Sequence, residues 1–225
     1  MKVIAFDLDE TLGHFSDLNV IYSDLQLQHG RVNQHHFNYL CDHFPEFFRP
    51  HIFEIINYIC EHRMPDDKIV IYTNNNGPKS WTNHIKNYIE YKLNRRVFDT
   101  IICSHKIGNV VIEPNRTTQN KIYTDLIRCT GVPYGTQICF IDDQHHEGMS
   151  SSKFVFYIRP KPYLNYFDKQ NILTRLFYCK SLDLDIHKTA SSLEICDDNF
   201  KSQEEEEIDT IVSRRIFQHV STFLQ

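Results

Sequence analysis

The chain has 225 residues, 41% of them hydrophobic and 24% charged, which is enough apolar surface to bury one core and too much for a disordered chain. Its formal net charge of −5 with neutral histidines lacks the basic footprint of a duplex-binding protein and leaves at most a local basic groove. No run of about 18 apolar residues occurs, and Asp7 and Asp9 stand where a signal peptide would carry its apolar stretch, so the reading is an intracellular protein, cytoplasmic or nuclear, without membrane association.

The predicted elements begin with an apolar, β-rich run, Lys2–Leu8, read as a buried strand. Residues 13–48 follow as an insertion rich in His, Asn, Phe and Tyr, partly helical, and a candidate small cap or specificity element. Arg49-Pro50 then opens a helix carrying Ile52, Phe53, Ile55, Ile56 and Ile59 at three- and four-residue spacing, with Pro in a first turn that tolerates its missing N–H. Lys68–Thr73 is the second strand, Ser80–Leu93 a helix, and Phe98–Cys103 the third strand. Asn120–Cys129 is a helix stopped by Gly131. Gln137–Asp142 and Lys153–Ile158 complete five strands. Strand alternating with helix predicts a three-layer, Rossmann-like α/β fold around a parallel five-stranded sheet.

One domain over residues 1–187 accounts for these elements. Residues 188–225 turn polar, then acidic at Glu204–Glu207, and end in an amphipathic pattern over Ile208, Ile211, Val212, Val220 and Phe223. That terminal helix either packs back on the body or docks a partner protein. The seven cysteines are odd in number, form no Cys-x-x-Cys pair and mostly lie within apolar runs. They read as buried thiols of a reducing compartment, without disulfides or a zinc site. His29, His35, His36 and His43 match no compact ligand spacing and read as surface residues, as do His145 and His146, which could border a substrate.

The chemistry concentrates at strand ends. Asp7 and Asp9, in Phe6-Asp7-Leu8-Asp9-Glu10-Thr11-Leu12, are spaced i, i+2 where the first strand gives way to a loop. Both side chains can therefore turn toward one volume at the edge where open α/β sheets bind ligands, one as nucleophile and the other as acid and base. Asp142 and Asp143 end the fourth strand of the sheet series. Carboxylates gathered this way repel one another unless a cation neutralises them, and oxygen-only ligation points to Mg²⁺. Thr73 and the N–H of Asn74 can hold phosphoryl oxygens, and Lys121 offers a cation for the same oxygens and for the attacking carboxylate, with Lys106 and Arg116 as nearby alternatives.

These residues resemble the four motifs of the haloacid dehalogenase superfamily of aspartyl-phosphate phosphatases: Asp7-Leu8-Asp9-Glu10-Thr11-Leu12, Thr73, Lys121 and Asp142-Asp143, in that order. The first motif, followed by His14 and then by Arg49-Pro50, is similar in particular to the polymerase C-terminal-domain phosphatase family, also called NLI-interacting-factor-like. Thr73-Asn74-Asn75-Asn76-Gly77 instead looks like nucleic-acid 3′-phosphatases and small-molecule phosphatases of the superfamily. The resemblance implies a small or absent cap and catalytic Asp7, Asp9, Thr73 and Lys121, with phosphate held by Thr73, Asn74 and Lys121. It further implies Mg²⁺ held by the Asp7 carboxylate, the Asp9 carbonyl, Asp142 and Asp143. The implied substrate is a phosphoserine or phosphothreonine protein. A phosphorylated nucleic-acid end or a nucleotide is the alternative, and a non-catalytic module built on the same fold is the third.

Overall fold

The computed structural model describes residues 1–30, 32–193 and 201–225. Cys196 and the middle of the predicted linker lie outside the described residues. The sheet contains β1 (Lys2–Phe6), β2 (Lys68–Tyr72), β3 (Thr100–Ile102), β6 (Gln137–Ile141) and β7 (Val155–Ile158), all parallel, in the order β3-β2-β1-β6-β7. All five predicted strands form, each within its predicted run. The chain first builds outward from β1 through β2 to β3, then returns to β6 and β7 on the other side. The order therefore reverses at β1, and the crevice outside its carboxyl end is where such sheets take ligands.

Strand alternation explains why both faces are covered. Ile4 and Phe6 point into one apolar cluster, which is shared with α1 (Ser16–His29), α2 (Gln34–His43), α3 (Ile52–His62) and α4 (Lys79–Leu93). Val3 and Ala5 point into the other, shared with α5 (Tyr123–Thr130) and Met149 of the short α6 (Glu147–Ser150). Side chains alternate with period two, so a strand buried on both sides reads as a continuous apolar run, as Val3–Phe6 does.

The insertion at 13–48 is α1, α2 and a short 3-10 turn, Pro45–Phe47. Its apolar residues Leu18, Ile21, Leu25, Phe37, Leu40 and Phe44 are buried in the first cluster, so it is part of the body. The helix after Arg49 begins at Ile52, with His51 as its cap, so Pro50 precedes the helix rather than occupying its first turn. Likewise α5 begins two residues after Lys121, which sits in the approach to the helix.

Elements beyond the predicted ones are the short α6, a hairpin of β4 (Lys106–Ile107) and β5 (Val110–Val111), and helices α7 (Lys169–Tyr178) and α8 (Ile186–Ser192). The terminal helix α9 (Gln203–Leu224) carries a capping box at Ser202 and Glu205. Its Ile216 and Val220 are buried in the first cluster. The Lys2 ammonium also donates to the Phe223 carbonyl at 2.6 Å, closing the end of α9 on the start of β1. Among the described residues no helix is long and apolar enough to cross a membrane.

Candidate active site

The adjacent ends of β1, β2 and β6 carry Asp7, Thr73 and the Asp142–Asp143 pair at one edge of the sheet. β1 lies between β2 and β6, with Phe6 paired to Ile71 on one side and Ile141 on the other. The Asp7 N–H continues the ladder one step further by donating to the Ile141 carbonyl at 2.9 Å.

Of the three cations, Lys121 is the one that meets the carboxylates. Its ammonium bonds the carboxylates of Asp7 and, at 2.6 Å, Asp142, and its side chain is 2% exposed. Arg116 is equally buried but is spent on structure. It donates to the carbonyls of Cys103, Gln119, Thr73 and Asn120 at 2.7–3.3 Å and to Asn74 Oδ1 at 2.9 Å. Lys106 is exposed on β4.

The loop 7–13 is held from several sides. Glu10 adopts φ 55°, and its carbonyl accepts from the Arg49 guanidinium at 2.7 Å and from the Tyr163 N–H at 2.8 Å. Arg49 also donates to the Thr11 and Lys161 carbonyls at 2.7 and 2.9 Å. Gly13 bridges both Asp9 and Phe48, and a Cβ there would overlap the Phe47 carbonyl oxygen, so this approach admits only glycine. Thr11 Oγ1 donates to Asp143 Oδ1 at 3.2 Å and accepts the Asp143 N–H at 3.1 Å, tying the two acidic loops together.

Asp9 stands outside the Asp7–Asp142–Asp143 cluster and is held by a side chain of the β2–α4 loop. Its Oδ2 accepts from Asn75 Nδ2 at 2.8 Å. Asn75 is fixed in turn by its own N–H on Thr73 Oγ1 at 2.9 Å and by the Gly77 N–H on its Oδ1 at 2.7 Å. Sequence reasoning passed over Asn75, although the Asn-Asn-Asn-Gly turn after a strand was visible; the middle Asn is the one that reaches the acid. The N–H groups of Leu8, Asp9 and Asn74, in the loops that follow β1 and β2, meet no acceptor among the described residues. The Asn74 side chain itself faces Arg116.

His146 departs from its expected surface role. Its Nε2 lies 3.1 Å from Asp142 Oδ2 with the side chain 14% exposed, whereas His145 is open to solvent. Asp142 Oδ1 accepts the Gln144 N–H at 2.9 Å.

The carboxyl groups Asp7, Asp142 and Asp143 each offer an oxygen within 4.8 Å of the others, and all three residues are buried. Burial pushes Asp7 up to about 7 from its ordinary 3.8; Asp142 and Asp9 add to the rise and Lys121 opposes it. Burial acts upward on Asp142 as well, but the His146 hydrogen bond and Lys121 outweigh it and hold that carboxyl below its ordinary value. Asp9 is raised chiefly by burial, against the Asn75 hydrogen bond. An oxygen-only, mutually repelling donor set of this kind fits a hard divalent cation.

No family model matches the sequence, and no curated protein matches it. Among solved structures, a candidate beta-phosphoglucomutase from Thermotoga maritima aligns with 78% of this chain and 91% of its own, at 15% identity and a TM-score of 0.38.

Proposed function

We propose that this protein is a phosphomonoesterase of the haloacid dehalogenase type that works through an aspartyl-phosphate on Asp7. One observation carries the reading: a buried lysine bridges Asp7 and Asp142 inside a cluster of three carboxylates at the sheet's switch point. A structural ion pair needs one acid per base. Three buried acids around one base, with unpaired backbone N–H groups beside them, suit a dianionic group and a cation.

Asp7, Asp142 and Asp143, with the Asp9 carbonyl, would hold Mg²⁺, which supplies charge neutralisation for the phosphoryl group. Lys121 favours the ionised form of Asp7, offsetting part of the effect of its burial, and orients it. Asp7 attacks phosphorus, forming the P–O bond to its carboxylate as the ester P–O bond breaks. Asp9, whose Oδ2 is held by Asn75, gives a proton from its other oxygen to the departing alkoxide. It then takes a proton from the water that attacks the aspartyl-phosphate, which releases inorganic phosphate and restores Asp7. The Thr73 hydroxyl, Lys121 and the free N–H groups of Leu8, Asp9 and Asn74 receive the equatorial oxygens.

The substrate we propose is a phosphoserine or phosphothreonine side chain. Support comes from the surface position of the cleft beside Asp9, whose edges Ser16, Asn19, Asn76 and Gly77 are exposed. The test is hydrolysis of an aryl phosphate with and without Mg²⁺, alongside Asp7→Asn. Magnesium-dependent turnover abolished by the substitution is the expected result; turnover that survives in Asp7→Asn rules out the nucleophile.

A further inference from the structure

Between the start of α1 and the β2–α4 loop lies a cleft of about 310 Å³. Asp9, Ser16, Asn19, Asn75, Asn76 and Trp81 are among the residues lining it. Asp9 is the one member of the acidic constellation that reaches it, so whatever oxygen Asp9 protonates must carry its organic group into this space. The cleft is thus where the alcohol half of an ester would sit.

Its chemistry is specific in two respects. No lysine, arginine or histidine lines it, and its walls are Ser, Asn, Gly and Pro with two closed aromatics besides Asp9. A leaving group bearing a second phosphate would therefore find no cation in the cleft to compensate for the water it gives up. The aromatic members are also closed: Phe15 and Trp81 are only 3% and 6% exposed, packed into the core, so neither offers an open face on which a base could stack. What the walls do present is neutral hydrogen-bonding capacity. Ser16 and Asn19 are exposed and make no side-chain hydrogen bond among the described residues, and the only such bond of Asn76 is one its Oδ1 accepts from Ser104 at 3.3 Å.

We infer that this cleft is a leaving-group subsite selective for uncharged, hydrogen-bonding alcohols, with Asn19 and Asn76 as specificity-determining residues and polyanionic esters excluded. The inference rests on the phosphomonoesterase reading and narrows it, since it sets aside oligonucleotide ends in favour of singly phosphorylated neutral substrates.

The test compares three substrates, with an aryl phosphate as reference: a phosphoserine peptide with uncharged flanks, the same peptide with a second phosphoserine adjacent, and a 3′-phosphorylated oligothymidylate. Wild-type kcat/KM for the first should exceed that for either of the others by about tenfold or more. Asn19→Lys, and independently Ser16→Lys, should narrow the ratio by about threefold to tenfold. Both positions are exposed, so folding is not at stake. A wild-type ratio near one, or a ratio that neither lysine moves, overturns the subsite. Trp81 is the only tryptophan in the chain, which gives a readout independent of turnover. In Asp7→Asn, the singly phosphorylated peptide should shift its emission, while inorganic phosphate and the oligothymidylate should not. If the aryl phosphate is not hydrolysed at all, the phosphomonoesterase reading fails, and the Trp81 titration still decides whether the cleft binds the peptide.

Discussion

Replacing Asp7 by Asn should yield an inactive protein that is more stable than the wild type at neutral to alkaline pH. The carboxyl titrates near 3.8 when exposed and at about 7 in the fold, chiefly because it is buried and next because Asp142 and Asp9 lie close, with Lys121 only partly compensating. A folded value above the unfolded one means that the native state holds the proton more tightly. This stabilising contribution is complete below pH 4 and is lost as pH rises toward 7. At 1.36 kcal/mol per pH unit, ionised Asp7 costs the fold on the order of 4 kcal/mol above pH 7. Asn keeps the shape and the neutral state, so it escapes that cost while losing the proposed nucleophile. Urea unfolding in a chelating buffer at pH 5 and pH 8 measures the effect. The variant should exceed the wild type by roughly 2 kcal/mol at pH 5 and by on the order of 4 kcal/mol at pH 8. Adding Mg²⁺ at about 100 times its dissociation constant should return about 2.7 kcal/mol to the wild type and less to the variant. A variant no more stable than wild type at pH 8, or one with the same pH slope, refutes the reasoning.

Asp9→Asn should cost about 10²–10⁴-fold on alkyl phosphates but far less on aryl phosphates, whose leaving oxygen needs no proton; steady-state kinetics on both classes checks it, and equal losses remove the acid role. Arg116→Met strands the four carbonyls and the Asn74 oxygen that it serves, so urea unfolding should show a loss on the order of 3–5 kcal/mol. Lys106→Met, at an exposed site, should stay within about 0.5 kcal/mol. Gly13→Ala pushes a methyl group into the Phe47 carbonyl and should lose about 1–3 kcal/mol or more by the same measurement, together with the geometry of the Asp7–Asp9 loop.

The strands and the four acidic positions were legible because each rests on a strong local rule. A strand covered on both faces reads as an unbroken apolar run, and a charge ending such a run can only stand at the sheet edge. What escaped follows rules that need the third dimension. The hairpin strands β4 and β5 are two residues each, too short for any period to show. The identity of the basic residue could not be read from spacing, since Arg116 and Lys121 are five apart and both end up buried; their partners distinguish them, carbonyls for one and carboxylates for the other. His146 stayed hidden for the same reason. A histidine four residues past an acid reads as surface until the α6 turn brings its Nε2 to Asp142.

The distribution of partners also explains why the loop 7–13 carries so much scaffolding. Asp7, Asp9 and Asp143 would each be better solvated in water, and Asp7 alone opposes folding by on the order of 4 kcal/mol when ionised. Against this stand three donations from a buried guanidinium to the Glu10, Thr11 and Lys161 carbonyls, each worth about 1.5–3 kcal/mol because the donor is charged. The reciprocal Thr11–Asp143 pair and the Gly13 bridges add to them. The support comes from elements that touch no reacting atom: Arg49 lies ahead of α3, and Tyr163 follows β7. Strain and its relief are therefore spatially separate. The acids can repel one another at the strand ends because the chain behind them is held by groups whose bonds do not depend on the charge of Asp7 or Asp9. In the proposed reaction that separation would let Asp9 gain and lose a proton without the loop rearranging each time.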